Sequence, residues 1–307
     1  MQDFKKKLKK FINIICLKTR FHFIKMSNRS YLFRAKTVEA YTIKSLSEVL
    51  QNILTDVCFK FDKEGIKLLT VDNKKPPNSL IHLKMNGEAF DEFYCPNPLS
   101  VGINLQHFYK MLKSIKKKDN ILLFISKNNP ESLGITTIQA DSGQPVTSHI
   151  KIQELSEIDV EIPDQYGHPI HIPTNTFQKM CKDMQSISSN IRIYSKASYL
   201  LFSCETLGMY DREVPFGEFD QDCEDEPYED IFQTKNLSQL IKVSGLNSRM
   251  QVYAPPAMFH QQCAGDCDDL VYLLPLKICI NTGHLGKLEI FIKSVSQIER
   301  EFVDEYQ

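Results

Sequence analysis

The chain has 307 residues, 42% of them hydrophobic and 24% charged, which is typical of a globular protein with more than one domain. No run approaches the roughly 18 apolar residues that a membrane-spanning helix needs, and the nine cysteines show no repeated spacing. We therefore expect an intracellular protein with reduced thiols that does not cross a membrane. The net charge of −1 conceals a basic N-terminus, because residues 1–25 hold eight basic side chains and the remainder carries −8.

Residues 1–25 alternate lysines with apolar residues and lack the usual signals for a helix start or stop. A basic amphipathic helix on a membrane or on nucleic acid is one interpretation. We favour a disordered tail, or sequence upstream of a true start at Met26, and assign residues 1–30 to an N-terminal extension.

From Tyr31 onward, alternation of apolar and polar residues predicts mainly antiparallel β-structure. Val57, Phe59 and Phe61 share one face of a strand, and residues 81–85 repeat this pattern. Turn residues separate many of the strand-like runs. The other runs are 66–71, 121–125, 146–152, 191–194, 200–203, 271–280 and 287–292.

Four segments switch to helical spacing: residues 42–54, 105–115, 175–187 and, more weakly, 236–244. Ile43 and Phe177 lie 134 residues apart, and Phe108 and Leu240 lie 132 apart. Two helices thus recur in a second copy, each among strands. This recurrence predicts a duplicated α+β domain.

The acidic, proline-containing residues 153–172 predict an extended linker between the two copies. The first domain then covers residues 31–152 and the second covers 173–307, with a short C-terminal tail. Residues 218–230 are also strongly acidic and predict a solvated loop.

Lysines occupy the helix faces opposite the apolar stripes. Lys110, Lys113 and Lys117 recur at i, i+3 and i+7, opposite a stripe that includes Phe108 and Met111. A single face of this kind is ordinarily a solvated surface, but four such faces in a net acidic chain favour a functional role for the lysines. Lysines without base-reading groups suit phosphate contacts that ignore sequence. The other segments contribute Lys44, Lys179, Lys182 and Lys242, interrupted by Glu48 and Asp183.

Several segments, in order, resemble proliferating cell nuclear antigen, the eukaryotic DNA sliding clamp family. The resemblance runs from about residue 31 to 293 and covers most of the chain. Its pieces are 32–36 (LFRAK), 65–72 (GIKLLTVD), 93–95 with 101–105, 161–166 (EIPDQY), 177–183 (FQKMCKD) and 283–291 (GHLGKLEIF).

This resemblance implies the DNA-clamp fold, with antiparallel sheets outside and two short helices per domain on an inner face. It implies a homotrimeric ring around double-stranded DNA that tethers DNA polymerase and is served by a clamp loader, in the nucleus or a viral replication compartment. No enzymatic activity, cofactor, metal or membrane is implied. Residues 146–152 and 207–215 would pair between subunits. The DNA-facing residues would be Lys44, Lys110, Lys113, Lys179, Lys182 and Lys242, with Lys117 added from its spacing; Ser45 and Gln51 replace basic residues of the family.

The resemblance also implies a groove for the peptides of clamp-binding proteins. Since Leu288, Ile290 and Ile292 form a core face, we expect Phe291 to be exposed at this groove. Lys293 and Ser294 depart from the family pattern at its rim. The groove residues are Val71, Ile162, Pro163, Tyr166, Pro275 and Phe291.

Three alternatives stay open. The chain could be a checkpoint-type clamp subunit in a heterotrimer or a monomeric processivity factor. A hydrolase is less favoured, because there is no Gly-rich phosphate loop and no nucleophile elbow. A metal site at His260, Cys263 and Cys267 is also disfavoured, since it lacks a second cysteine pair with metal-ligand spacing.

Overall fold

The computed structural model describes residues 30–206, 208–220, 223, 225–256 and 274–305. The predicted N-terminal extension up to residue 29 and the candidate metal ligands His260, Cys263 and Cys267 lie outside the described residues. Within the described ranges, no helix is both long and apolar enough to cross a membrane.

The described residues form antiparallel strands and a few mostly short helices. The helices are α1 (Ala40–Ile53), α2 (Leu105–Leu112), α3 (Thr174–Gln185), α4 (Thr234–Ser238) and α5 (Val295–Glu305), with 3-10 turns at Gly87–Ala89 and Val243–Gly245. The strands of the first half are β1 (Tyr31–Thr37), β2 (Asp56–Asp62), β3 (Gly65–Val71), β4 (Ser79–Asn86), β5 (Glu92–Tyr94), β6 (Leu99–Asn104), β7 (Asn120–Ser126), β8 (Asn129–Ile138) and β9 (Pro145–Lys151). Those of the second half are β10 (Ile170–Pro173), β11 (Asn190–Lys196), β12 (Tyr199–Thr206), β13 (Tyr210–Gly217), β14 (Tyr228–Gln233), β15 (Arg249–Tyr253), β16 (Leu276–Thr282) and β17 (Gly286–Ile292).

The order of strands in the sheets shows that the fold is duplicated. The sheets run β5-β1-β7-β8-β9, β10-β15-β16-β17-β4-β3-β2-β6 and β13-β12-β11-β14. The series β1-β7-β8-β9 of the first half therefore returns as β10-β15-β16-β17, and β4-β3-β2-β6 returns as β13-β12-β11-β14. The α+β clamp-like fold class predicted from the sequence is confirmed.

One strand pair joins the two halves within the chain. β17 pairs with β4 over seven residue pairs, from Gly286 opposite Met85 to Ile292 opposite Ser79. The core-facing residues of this seam are apolar and almost fully buried, including Ile81, Leu83, Leu288 and Ile290 at 0–1% exposure. Their burial merges the cores of the two halves into one hydrophobic cluster.

The predicted apolar stripes of the helices are largely buried, with one error. Ile43, Leu46 and Leu50 of α1 and Phe177 and Met180 of α3 face the core. Met111 was expected in the stripe of α2, but 38% of it is exposed. Because α2 has only eight residues, two turns of helix fix Phe108 and Leu112 on the core and leave Met111 at the side.

Three further boundaries differ from the prediction. The last helix of the duplicated pair is only the five residues of α4, and the 271–280 run forms a strand only from Leu276, with 271–273 outside the described residues. The acidic stretch 218–230 ends in strand β14, where Tyr228 is buried against the core.

The predicted C-terminal tail includes helix α5, which packs on β14. Its start is marked in the sequence by Ser294 and Gln297. The Ser294 N–H donates to Gln297 Oε1 at 2.8 Å, and the Gln297 N–H donates to Ser294 Oγ at 3.3 Å. This reciprocal pair is a capping box.

The linker leaves β9 along the edge of the eight-stranded sheet. The Gln153 N–H donates to the Gly102 carbonyl at 2.8 Å, and a Cβ at position 102 would overlap the Gln153 carbonyl oxygen. Glycine therefore lets the linker approach β6 closely. Residues 154–169 contain no helix or strand, and β10 begins at Ile170.

Candidate DNA-facing helix layer and partner groove

The helices of both halves form one layer on the core side of the sheets. α2 packs on α1, α1 and α3 both pack on the Val243–Gly245 turn, and α3 packs on α4. Asn104 caps α2 by accepting the His107 N–H at 3.1 Å, which fixes the start of that helix. We call this arrangement the helix layer.

Six of the seven predicted lysines are exposed, and four of these lie on α2 and α3 or at the end of α2. Lys110 lies in the last turn of α2, Lys113 is its C-terminal cap, and Lys179 and Lys182 lie on α3. Cations in a last helical turn also interact favourably with the helix dipole. These side chains remain available for contact with an external anion.

Lys44 and Lys117 meet at one tyrosine. Their ammonium groups lie 5.6 and 5.8 Å from the centroid of the Tyr41 ring. Lys44 is half-buried and donates to the Ile115 carbonyl at 3.0 Å. The helical spacing inferred for Lys117 was wrong, since α2 ends at Leu112, but the following turn returns this lysine to the same surface.

The two acids that interrupt the lysine faces are paired. Glu48 lies 3.0 Å from Lys242, and Asp183 accepts a hydrogen bond from Arg212 of β13 at 2.8 Å. Ser45 is not on the surface, because it is 4% exposed and packs near Gly245. Position 45 is therefore part of the packing between the helices and not of their exposed face.

The outer face of the eight-stranded sheet carries the candidate groove. Strand register places Val71, Leu80, Phe291, Lys277 and Tyr253 side by side across five strands. These residues point away from the helix layer, since the alternate residues of the same strands form the core. The groove thus lies on the opposite side of the sheet from the lysines of the helix layer.

Phe291 does point away from the core, but the expectation that it is exposed was wrong. It is 1% exposed, because Tyr166 of the linker covers it with ring centroids 6.2 Å apart. The Tyr166 hydroxyl donates to the Pro275 carbonyl at 2.8 Å, and burial raises the pKa of this phenol. Tyr166, Pro275 and Phe291 therefore lie together, with the linker closed over them.

A lysine occupies the centre of this aromatic group, and sequence reasoning missed it. The Lys277 ammonium lies 5.4, 5.2 and 5.4 Å from the ring centroids of Tyr166, Tyr253 and Phe291. Such contacts stabilise a cation at the face of a ring. We call these three rings with Pro275 and Lys277 the aromatic pocket.

Glu289 binds the Lys277 ammonium group within the aromatic pocket. Sequence reasoning did not identify this residue either. It is 4% exposed and lies 3.1 Å from Lys277, 3.0 Å from Lys287 and 2.8 Å from His82 Nδ1. The hydrogen bond with His82, together with both lysines, holds the pKa of Glu289 well below its usual range despite its burial.

The rest of the groove lies beneath the linker. A cavity of about 660 Å³ separates linker residues 155–159 from the outer face of β2, β3 and β4, and Val71 lines it. Lys60 holds the linker from below, 3.5 Å from Glu157. Ile162 is 37% exposed and Pro163 is half-buried further along the linker, so the described contacts do not draw them into the aromatic pocket.

Two of the described thiols are poor candidates for chemistry. Burial raises the pKa of Cys95 to about 11 and that of Cys181 to about 12, which keeps both protonated. In the described part of the chain, no three His, Cys, Asp or Glu side chains cluster as metal ligands.

Duplicated sheets behind a lysine-bearing helix layer define the architecture of a DNA sliding clamp. Residues 32–162 match the family model of the proliferating cell nuclear antigen N-terminal domain. The chain is 30% identical over 236 residues to "Probable DNA polymerase sliding clamp 1" of Paramecium bursaria Chlorella virus 1, covering 74% of this chain and 89% of the viral one. The chain belongs to the proliferating cell nuclear antigen family of sliding clamps.

Two further relatives agree. Proliferating cell nuclear antigen of Caenorhabditis elegans is 25% identical over 234 residues, covering 72% of this chain and 87% of that protein. The crystal structure of the Entamoeba histolytica protein superimposes with a TM-score of 0.70 at 21% identity and covers 86% of this chain and 99% of that one. The last comparison supports the fold alone.

Proposed function

We propose that three copies of this chain close into a ring that encircles duplex DNA and tethers a DNA polymerase. The observation that carries the proposal is the seam between β17 and β4. β9 is the topological counterpart of β17, β13 is the counterpart of β4, and both are the last strands of their sheets. Such edges invite pairing with another copy.

The register of the seam gives the proposed register between copies. Counted from the last core-facing residue of each strand, Val146 of β9 corresponds to Leu288 of β17. β13 and β4 are aligned at the strand end that lies farthest from the turn joining each to the preceding strand. In this alignment Val214 of β13 corresponds to Leu83 of β4. Since Leu288 lies opposite Leu83, Val146 would lie opposite Val214 of the next copy.

Paired cysteines test this register. Val146→Cys combined with Val214→Cys should give a covalent trimer on mild oxidation, because opposed β-residues approach disulfide distance. Val146→Cys with Arg212→Cys, two residues out of register, is the matched control and should link poorly. A monomer by light scattering at micromolar concentration would reject the homotrimer, and assembly only with a different clamp chain would favour the heterotrimeric alternative.

In the proposed ring, the helix layer lines the hole. Lys44, Lys110, Lys113, Lys117, Lys179, Lys182 and Lys242 would contact the phosphates of double-stranded DNA without sequence preference. One support is that these lysines lie on the same layer. The other is that Glu48 pairs with Lys242 and Asp183 pairs with Arg212, so the remaining exposed lysines are in excess. Closure of the ring and weak phosphate contacts would together allow sliding.

Charge reversal tests the DNA-facing surface. Lys110→Glu, Lys113→Glu and Lys182→Glu together should reduce clamp-dependent synthesis about tenfold or more at physiological salt, while the assembly stays trimeric. The exposed Lys127 in the β7–β8 turn supplies the control, since Lys127→Glu should leave synthesis unchanged. Full processivity of the triple variant would reject the assignment.

We further propose that the groove formed by Val71, Ile162, Pro163, Tyr166, Pro275 and Phe291 receives peptide segments of the polymerase, the clamp loader and other replication or repair proteins. The contiguous row from Val71 to Tyr253 supports this. Because Tyr166 covers Phe291, a bound peptide would displace the linker. The protein would act as a non-enzymatic scaffold in the nucleus or in the replication compartment of a large DNA virus, with domains at 31–152 and 173–307.

A further inference from the structure

Four lysines form a row across the outer face of the eight-stranded sheet. Lys60 lies directly opposite Lys67, Lys67 opposite Lys84, and Lys84 opposite Lys287. Directly opposed residues on neighbouring strands have Cβ atoms about 4.5–5.5 Å apart, and like charges in such pairs destabilise a sheet. We call this set the lysine row.

Carboxylates balance only one end of the lysine row. Lys67 lies 2.9 Å from Asp62 and 2.6 Å from Glu64, and Lys60 lies near Glu157 of the linker. Lys60 and Lys67 therefore have acidic neighbours at the β2–β3 end. Lys287 shares one, Glu289, at the other end.

At the β4–β17 end, positive charge is in excess. Lys84 is exposed, and the carboxylate that it acts on, Glu64, is already paired with Lys67. Lys287 is 48% exposed and shares Glu289 with Lys277. Lys277 and Lys287 therefore share one carboxylate, and Lys84 has only a share of Glu64, so positive charge is in excess at this end.

This surplus adjoins the aromatic pocket. Lys287 and Phe291 lie four residues apart on β17 with side chains on the same face, and Lys84 and Leu80 are related in the same way on β4. Four residues of strand span about 13 Å, which is also the length of four residues of an extended peptide. One bound segment can therefore contact both features.

We infer that the groove is selective for peptides in which an aromatic anchor is followed or preceded, about four residues away, by acidic residues that bind Lys84 and Lys287. This inference rests on the proposed peptide groove. A short acidic flank fits better than a nucleic acid strand, because a strand that continued along the row would meet Asp62, Glu64 and Glu157. Charge complementarity then adds specificity to an apolar pocket.

Fluorescence polarisation on the full chain tests the inference with labelled synthetic peptides. The peptides share one aromatic anchor and differ in a flank of four Glu, four Gln or four Lys, placed on either side of the anchor. At low salt, one Glu-flanked peptide should bind about tenfold more tightly than its Gln counterpart, as two exposed charge pairs allow. The preference should fade at about 0.5 M salt.

Lys84→Gln with Lys287→Gln should bring the Glu and Gln peptides within twofold of each other. Lys127→Gln is the matched control and should retain the preference. The double variant relieves opposed like charges but also removes one of the partners of Glu289, so circular dichroism and urea unfolding must confirm that both variants are folded.

Equal binding of the Glu and Gln peptides, or a preference that survives in the double variant, would overturn the inference while the groove stands. Absence of binding by every peptide would reject the groove itself. A single-stranded oligonucleotide that displaces the Glu peptide and depends on Lys84 and Lys287 would assign the row to nucleic acid instead.

Discussion

The seam inside the chain and the free edges of β9 and β13 are topologically equivalent but chemically different. The seam opposes Leu83 with Leu288 and Ile81 with Ile290, all almost fully buried. The corresponding positions of the free edges include Ser148 and Arg212, and Val146 is 47% exposed. The strand positions that form buried core in the seam are thus more polar and more exposed at the free edges.

Backbone chemistry widens the contrast. Pro145 begins β9 and Pro215 lies within β13, and both occupy sheet edges where the missing N–H is tolerated. Each proline removes one donor from any pairing of these strands with a further chain. A ring built on these edges would therefore open there, while the β17–β4 seam stays closed.

The largest expected effect, which could break this comparison, comes from truncating one residue in the seam and one residue on a free edge. Ile81→Ala in the closed seam should lower the free energy of unfolding by about 2–5 kcal/mol, because it leaves a cavity in a fully buried site. Val214→Ala on the free edge should change the stability of the single chain by about 1 kcal/mol or less. Urea unfolding followed by circular dichroism measures both.

Protein concentration separates the two variants further. The Ile81→Ala loss should be the same at low and high concentration, since the seam lies within one chain. The Val214→Ala loss should grow with concentration, because the proposed assembly of wild-type copies would gain stability by mass action. A concentration-independent effect of Val214→Ala would mean that β13 pairs with no other copy.

Much of the fold could be predicted from the sequence, but the contacts of the groove could not, for a physical reason. The period-2 pattern of β2 and β4 and the apolar stripes of the helices are local, and the similar offsets between the helix pairs predicted the duplication. The burial of Phe291 depends on Tyr166, which lies 125 residues earlier in the chain. The contacts of Glu289 come from β4, β16 and β17 together, and no local pattern encodes such an arrangement.

Glu289 gives the next largest effect and sharpens the comparison, because it ties β17 to His82 of β4 on the outer side of the seam. Glu289→Gln should reduce stability at pH 7 by about 2 kcal/mol, the usual range for a hydrogen-bonded charge. The pKa of Glu289 is lowered in the folded protein, so its contribution is present above the unfolded value of about 4.3 and is lost as pH falls. The difference between variant and wild type should therefore shrink below about pH 4.

Glu229 is the control for that measurement. It pairs with Arg192 at 3.5 Å on the surface, where both side chains are about half exposed. Glu229→Gln should alter stability by less than about 1 kcal/mol. A Glu289→Gln deficit that stayed constant down to pH 3 would show that the ion pairs across the seam contribute little.

The smallest expected effect concerns the linker, which covers the closed seam and has no counterpart over β9 or β13 among the described residues. Tyr166→Phe removes the hydroxyl that donates to the Pro275 carbonyl and keeps the ring on Phe291. We expect a loss of about 1 kcal/mol or less in global stability, together with faster hydrogen exchange confined to residues 154–169. Tyr210→Phe is the control, because Tyr210 is 48% exposed at the free edge. If Tyr166→Phe increased hydrogen exchange in β17 and β4 as well as in the linker, the stability of the seam would depend on the linker. The distinction between the seam and the free edges would then be weaker.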